Sequence, residues 1–313
     1  MSQIVIEQAT FRADGGATQS LLARSPGFLD DWLPEAERLC QSFGTPPAGA
    51  ASARYVFAQP FARRYVAIVQ VEGPVSASLA YHLMILRQET YGQLGADPFA
   101  IAERLPPDWS VRGELPVLTL ADAAIPPRTV GQLQSVLQRG ELSPILLGGA
   151  QALLDGGRLV FERPPPDSEL VRDVWMLLPT ATRLHLWPAS YAYSNALGFA
   201  ALVVPRAEGD EFKHYLSEQQ AGDYPPGHYE FNLQMAVEAG DQRELDVLLS
   251  RRSRRETWRM GLLLLAVVFF LAALSNWLTP QPESPPQKQS RPAASSRTGK
   301  APSNSSKEAK PSD

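Results

Sequence analysis

The chain has 313 residues, 44% of them hydrophobic, and a formal charge of −4, enough for one large domain or two ordinary ones. Residues 1–250 hold 18 Lys+Arg against 29 Asp+Glu, and so acidic a body argues against nonspecific binding to nucleic acid, which needs clustered cations. The single cysteine, Cys40, excludes an intrachain disulfide and a cysteine metal cluster, and it fits a reducing compartment.

The opening "MSQIVIEQATFRADGG" lacks a basic start and a long apolar run, so no cleaved signal peptide is expected. Within it, Ile4, Ile6 and Ala9 alternate with polar neighbours as in a strand, and Asp14–Gly16 signals a turn. Leu33, Ala36, Leu39, Cys40 and Phe43 recur at helical spacing, which predicts a helix near 30–43 that Gly44 stops. "ARYVFAQP" and "RRYVAIVQVEG" read as a hairpin, and "SLAYHLMILRQETYGQL" as a buried strand turning into a helix. In "DPFAIAERLP", Asp97 is placed to cap a short helix with Pro98 at its first position.

A Pro-rich connection over 106–128 marks a boundary between an N-terminal α/β subdomain (1–105) and a C-terminal one (129–250). In the second, Val130, Leu133, Val136 and Leu137 share one helix face. "SPILLGGAQALLDGGRLVFERPPPDSELVRDVWMLLP" reads as strand, helix, strand, helix. "RLHLWPAS" and "FAALVVPR" are two more strands, and 209–250 looks helical. No period of 20–50 residues recurs, which excludes solenoids and propellers. The fold class is therefore α/β, a mixed α+β body of sheet and helix with antiparallel neighbours, followed by one C-terminal transmembrane helix and a disordered tail.

That helix is the run from Met260 to Leu278, 19 residues without a charge. At 1.5 Å per residue it spans about 28 Å, close to the hydrocarbon thickness of a bilayer. Trp258 and Trp277 bracket it as an aromatic belt would. Arg251, Arg252, Arg254, Arg255 and Arg259 form a basic juxtamembrane segment (251–259), whereas the first cation beyond the run is Lys288. The positive-inside bias then places the body in the cytoplasm and the C-terminus outside, in a single-pass protein with the lipid bilayer as a partner. Leu245, Leu248 and Leu249 form a stripe, and no Gly or Pro falls between Asp241 and Met260, so 241–259 is expected to be one helix continuous with the span. The tail, 279–313, is rich in Pro, Ser and Lys and is expected to be disordered.

Signals of chemistry are sparse. GxxxxGK[ST], GxGxxG, HExxH and GxSxG do not occur. The pairs in "LLGGAQ" and "LDGGRL" read as turns. His82 lies in an apolar run and reads as a buried, hydrogen-bonded core residue, with a catalytic role as the alternative. Asp210 and His214 stand four residues apart, too few ligands for a metal site. Cys40 lies on an apolar face and reads as core, as do Trp187, Tyr191, Tyr193 and Phe199, for which a partner-binding ridge is the alternative. No catalytic, cofactor or metal residue is assigned. The leading expectation is a membrane-anchored interaction or scaffold domain; the rival is an enzyme with His82 or His214 in its site.

Three stretches resemble a known family. "VIEQATFRADGGATQSLLARSPGF" is similar to the opening of bacterial GTPase-associated protein N-terminal domains, through Gln8, Gly15, Gly16, Leu21, Leu22, Ala23, Ser25 and Gly27. "LAYHLMIL" resembles that family's His-containing strand through His82. "LLPTATRLHLWPASY" resembles its Leu-Pro-x-x-x-Arg helix and following strand through Leu178, Pro179 and Arg183. The resemblance covers about residues 3–205 and implies a non-catalytic module that accompanies a GTPase in a bacterial regulatory or conflict system. The chain departs from the family in lacking its long middle and C-terminal regions and in carrying the anchor.

Overall fold

The computed structural model describes residues 3–13, 19–47, 50, 52–75, 78–121, 125–164, 166–250 and 265–271. The chain divides into two compact units, Met1–Arg259 and Met260–Asp313.

The first unit is built on a sheet whose N-terminal part is an antiparallel set. Strands β1 (Gln3–Ala13) and β2 (Gln19–Arg24) pair, and a 3-10 turn at Asp30–Trp32 leads into α1 (Leu33–Ser42). Ala36, Leu39, Cys40 and Phe43 are buried, and Gly44 leaves the helix with φ +96°, as the spacing required. Then come β3 (Ala53–Phe61), β4 (Tyr65–Val75) and β5 (Ser78–Arg87), which pair in sequence, with β5 closing back onto β1. Ala62 and Arg63 both take left-handed φ at the β3–β4 turn, where the Ala62 N–H donates to Glu35 at 3.1 Å. Next are α2 (Gln88–Gln93) and α3 (Pro98–Arg104), and Asp97 caps α3 by accepting from the Ala100 N–H at 3.0 Å.

The Pro-rich connection carries two short strands, β6 (Gly113–Glu114) on β2 and β7 (Leu118–Ala121) on β1. It does not separate the unit in two: one sheet and the larger of two hydrophobic cores run across 1–105 and 129–250. Beyond it lie α4 (Val130–Leu137), α5 (Leu142–Leu154), β8 (Leu159–Glu162), α6 (Glu169–Leu177), α7 (Thr180–Arg183), β9 (Pro188–Ala189) and β10 (Ala201–Val204). A 3-10 turn at Asp210–Phe212 precedes α8 (Glu218–Gly222), α9 (His228–Glu238) and α10 (Gln242–Leu249). The strand order is β6-β2-β1-β5-β4-β3-β9-β10-β8; β8, β9 and β10 run parallel, and one backbone pairing, Phe57 with Ala189, joins β3 to β9.

Several expected elements differ. "SPILL" is not a strand but the start of α5, and the glycines of "LLGGAQ" lie inside that helix. A Cβ on Gly148 would stand 2.0 Å from the Ala221 carbonyl oxygen, so the glycine is there to let α8 approach. In "LDGGRL" the turn does occur, with Gly156 at φ +92°. Of "RLHLWPAS" only Pro188–Ala189 is a strand, because α7 and the bends after it occupy the start of that stretch. Residues 209–250 form separate helices, interrupted at Pro225, Pro226 and Gly240 (φ +69°).

Alternation along the strands sends side chains to two cores. On β5, Leu83 and Ile85 join a cluster with Phe11, Phe57 and Val69 that continues through the C-terminal helices. Met84 and Leu86 join a second with Ile6 and Ile68, closed by Tyr91 of α2 and Ile101 of α3.

Of the second unit, residues 265–271 are described; they are helical, and Leu265, Val267, Val268, Phe269, Phe270 and Leu271 are all exposed. Among the described residues no helix is long and apolar enough to cross a membrane. The tail (279–313) and the junction 251–259 lie outside the described residues; of the helix expected over 241–259, α10 (Gln242–Leu249) is the described part, capped by Asp241.

Candidate functional site

Of the residues quoted for the resemblance, Gln8, Ser25, Gly27 and His82 meet in one buried polar latch and Leu178 and Arg183 in a second, whereas Leu21 is exposed and Gly15 and Gly16 lie outside the described residues. The first crosses β2, β1 and β5. The Gln8 N–H donates to the Ser25 hydroxyl at 2.9 Å, and the Ser25 N–H donates to the Gln8 carbonyl at 2.8 Å. Ser25 also donates to the Glu7 carboxylate, for which Gly27 makes room: a Cβ there would lie 2.2 Å from a Glu7 oxygen. The Gln8 side chain donates to the Pro116 carbonyl at 2.6 Å, and its Oε1 lies 2.7 Å from His82 Nε2. His82 is 1% exposed and stands edge-on to the Trp109 ring, 6.4 Å between centroids. Burial pushes the imidazole down to about 4, so it is neutral at physiological pH.

The second latch closes the C-terminal end of α6. The end carbonyls of a helix lack partners within it, and here side chains from α7, from α9 and from the segment before α4 supply them. Arg183 donates to Trp175, Arg128 donates to Met176 (2.8 Å) and to Leu178, and the Tyr229 hydroxyl donates to Leu177. Arg183 is 1% exposed and also contacts the Gly95 carbonyl and the Asp97 carboxylate, both at 3.3 Å. Burial lowers its pKa, and Asp97 opposes that shift. Arg128 is pulled down to about 9, chiefly by burial and then by Arg183. Arg128 and Arg183 line a cavity of about 320 Å³ with Asp97, Thr180, Asp246 and Ser250.

A cleft of about 250 Å³ opens between β3, β4, α3 and the start of α6. Tyr55, Phe99 and Trp109 supply its apolar wall. Its charges are matched locally: Arg172 pairs with Glu103 at 2.9 Å, Arg54 stands 3.6 Å from Glu72, and Trp109 donates to Glu72.

The other sequence candidates are dispersed. Cys40 is buried in the core, and burial raises its thiol pKa well above the ordinary value. Asp210 sits in a 3-10 turn and pairs with Lys213 at 2.8 Å, while His214 is exposed; the two do not converge on a site. Ser190 and Ser194, near which no GxSxG elbow occurs, serve local structure: Ser190 ties β9 to β3 by accepting from the Val56 N–H at 2.9 Å, and Ser194 accepts from the Ala196 N–H at 3.1 Å. Tyr191 and Phe199 are buried, and Tyr191 stacks on Tyr55, so these aromatics pack the core; Trp187 and Tyr193 are partly buried against it. Among the described residues no group of three or more His, Cys, Asp or Glu is placed to hold a metal. Met260, Leu278, Trp258, Trp277 and the arginines Arg251, Arg252, Arg254, Arg255 and Arg259 lie outside the described residues. Sequence reasoning missed Arg128, Tyr91 and Trp109, which carry no local pattern. Arg128 sits in "IPPRT", where only the prolines stand out.

No protein-family model matches the chain, and no curated protein matches it.

Proposed function

We propose that the chain is a membrane-anchored protein-interaction module, its body cytoplasmic and its C-terminus outside. The observation that carries this reading is the uncharged run Met260–Leu278 with five arginines just before it. Its described portion, 265–271, is helical and apolar, with exposed side chains, which is consistent with a lipid environment. The body supports the interaction half of the reading. His82, Arg183 and Cys40, its most chemically suggestive residues, are built into latches or core, and the cleft beside Trp109 offers matched charges and aromatic wall. The resemblance to GTPase-associated domains makes a GTPase the first partner to look for.

Two reporter fusions to the full chain test the anchor. A C-terminal reporter active only outside the cytoplasm is expected to work and an N-terminal one to stay silent; the reverse overturns the orientation. Capture of the full chain from native membranes, loaded with GDP or a GTP analogue, tests the partner class. Enrichment of a GTPase in one nucleotide state is expected, and its absence in both removes that assignment.

A further inference from the structure

Arg128 and Arg183 bring two guanidinium groups to one cavity. They face one buried carboxylate, Asp97, and the end of α6, which is worth about half a negative charge. The second carboxylate of the lining, Asp246, is exposed and accepts from the Gln242 amide at 2.8 Å, so water screens it. The cavity wall therefore carries an excess of positive charge, from the buried Arg183 and the partly exposed Arg128, which favours an anionic occupant. Donor capacity is left over as well. Of the five N–H donors of each guanidinium, the hydrogen bonds among the described residues use three on Arg128 and four on Arg183. Close to Arg183 and Asp97, the fully buried Tyr91 hydroxyl has no hydrogen-bond partner among the described residues. The cavity is of the size that small ligands occupy.

We propose that this cavity binds a phosphate group, held by the planar donors of Arg128 and Arg183. Guanidinium forks match phosphate oxygens in geometry and charge. Two sources share that chemistry: free phosphate and the headgroup of an anionic phospholipid. The second is favoured by where the chain leaves the body. Leu249 and Ser250 line the cavity, and Ser250 is ten residues before Met260, at most about 35 Å of extended chain. The lipid source rests on the membrane-anchor reading; the phosphate site does not.

The test is calorimetric titration of the full chain in neutral detergent with inorganic phosphate, against chloride at matched ionic strength. Saturable heat is expected with phosphate alone. Arg128→Gln should weaken binding at least tenfold, although it also removes bonds to α6 and could act by damaging the fold. Asp246→Asn excludes that explanation because its effect has the opposite sign: removal of an exposed carboxylate should tighten binding about threefold. Absence of saturable heat, or no tightening in Asp246→Asn, overturns the site. Reconstitution into phosphatidylcholine with and without phosphatidic acid separates the sources. Loss of phosphate binding only with phosphatidic acid assigns the site to a headgroup, and unchanged binding assigns it to the free ion.

Discussion

The Gln8–His82 latch and the Asp97–Arg183 latch are buried to a similar degree, yet one is made of neutral partners at its centre and the other of ions. The neutral latch lies across paired strands, where the backbone groups are already satisfied and a side chain needs only one or two bonds. The ionic latch lies at a helix end, where several carbonyls converge and a guanidinium can satisfy more than one at once. The same burial thus exacts different costs. Removing a partner from the first leaves an unpaired dipole, and removing one from the second leaves an unpaired charge.

The largest effect should come from breaking the ionic latch. Arg183→Met is expected to cost about 3–5 kcal/mol, read as a lowered denaturant midpoint, because Asp97 is left buried without its cation. Adding Asp97→Asn, which keeps the cap on α3, should recover part of that loss; no recovery would show that the lost bonds to Trp175, and not the charge, set the cost.

A pH titration separates the two latches next. His82 has a folded pKa of about 4 against an ordinary 6.5, so between those values the unfolded chain binds a proton that the folded chain refuses. Its contribution to stability is present above pH 6.5 and is lost as pH falls toward about 4, on the order of 3 kcal/mol in all. The difference in stability between the wild type and His82→Gln should carry this slope, and a difference that stays flat with pH would place the imidazole in contact with water.

Smaller changes sharpen the neutral latch. Ser25→Ala leaves the buried Gln8 N–H without its acceptor and should cost about 2 kcal/mol in equilibrium unfolding. Gly27→Ala should cost less, about 1 kcal/mol, because the new methyl meets the end of the Glu7 side chain, which can swing away at the loss of its bond to Ser25. A cost above that of Ser25→Ala would mean that the Glu7 carboxylate is fixed in place.

What the sequence made legible was local. The cap at Asp97, the proline at 98, the stripe on α1 and the β3–β4 hairpin rest on neighbours a few residues apart, and each is found where expected. The body's mixed α/β class followed from such signals. What failed was also physical. "LLGG" reads as a strand and a turn because a glycine pair usually frees the backbone, whereas here it admits the Ala221 carbonyl from a helix 70 residues on. The latches were invisible because Gln8 and His82 are 74 positions apart, and Asp97 and Arg183 86. The resemblance picked out Gln8, Ser25, Gly27, His82 and Arg183 without saying what joined them.

Strand β1 precedes every strand it pairs with, and two of them, β5 and β7, come much later. Its Val5 pairs with Thr119, and its Glu7 with Ile85. At ordinary rates of translation, Thr119 follows Val5 by roughly 6–23 seconds. By then Met84, Leu86 and Ile101, which share the second core with Ile4 and Ile6, are already made, so what still waits is the edge of β1 from Gln3 to Ile6. The position of one strand in the sheet thus sets a clock on the nascent chain, which runs until β7 closes that edge.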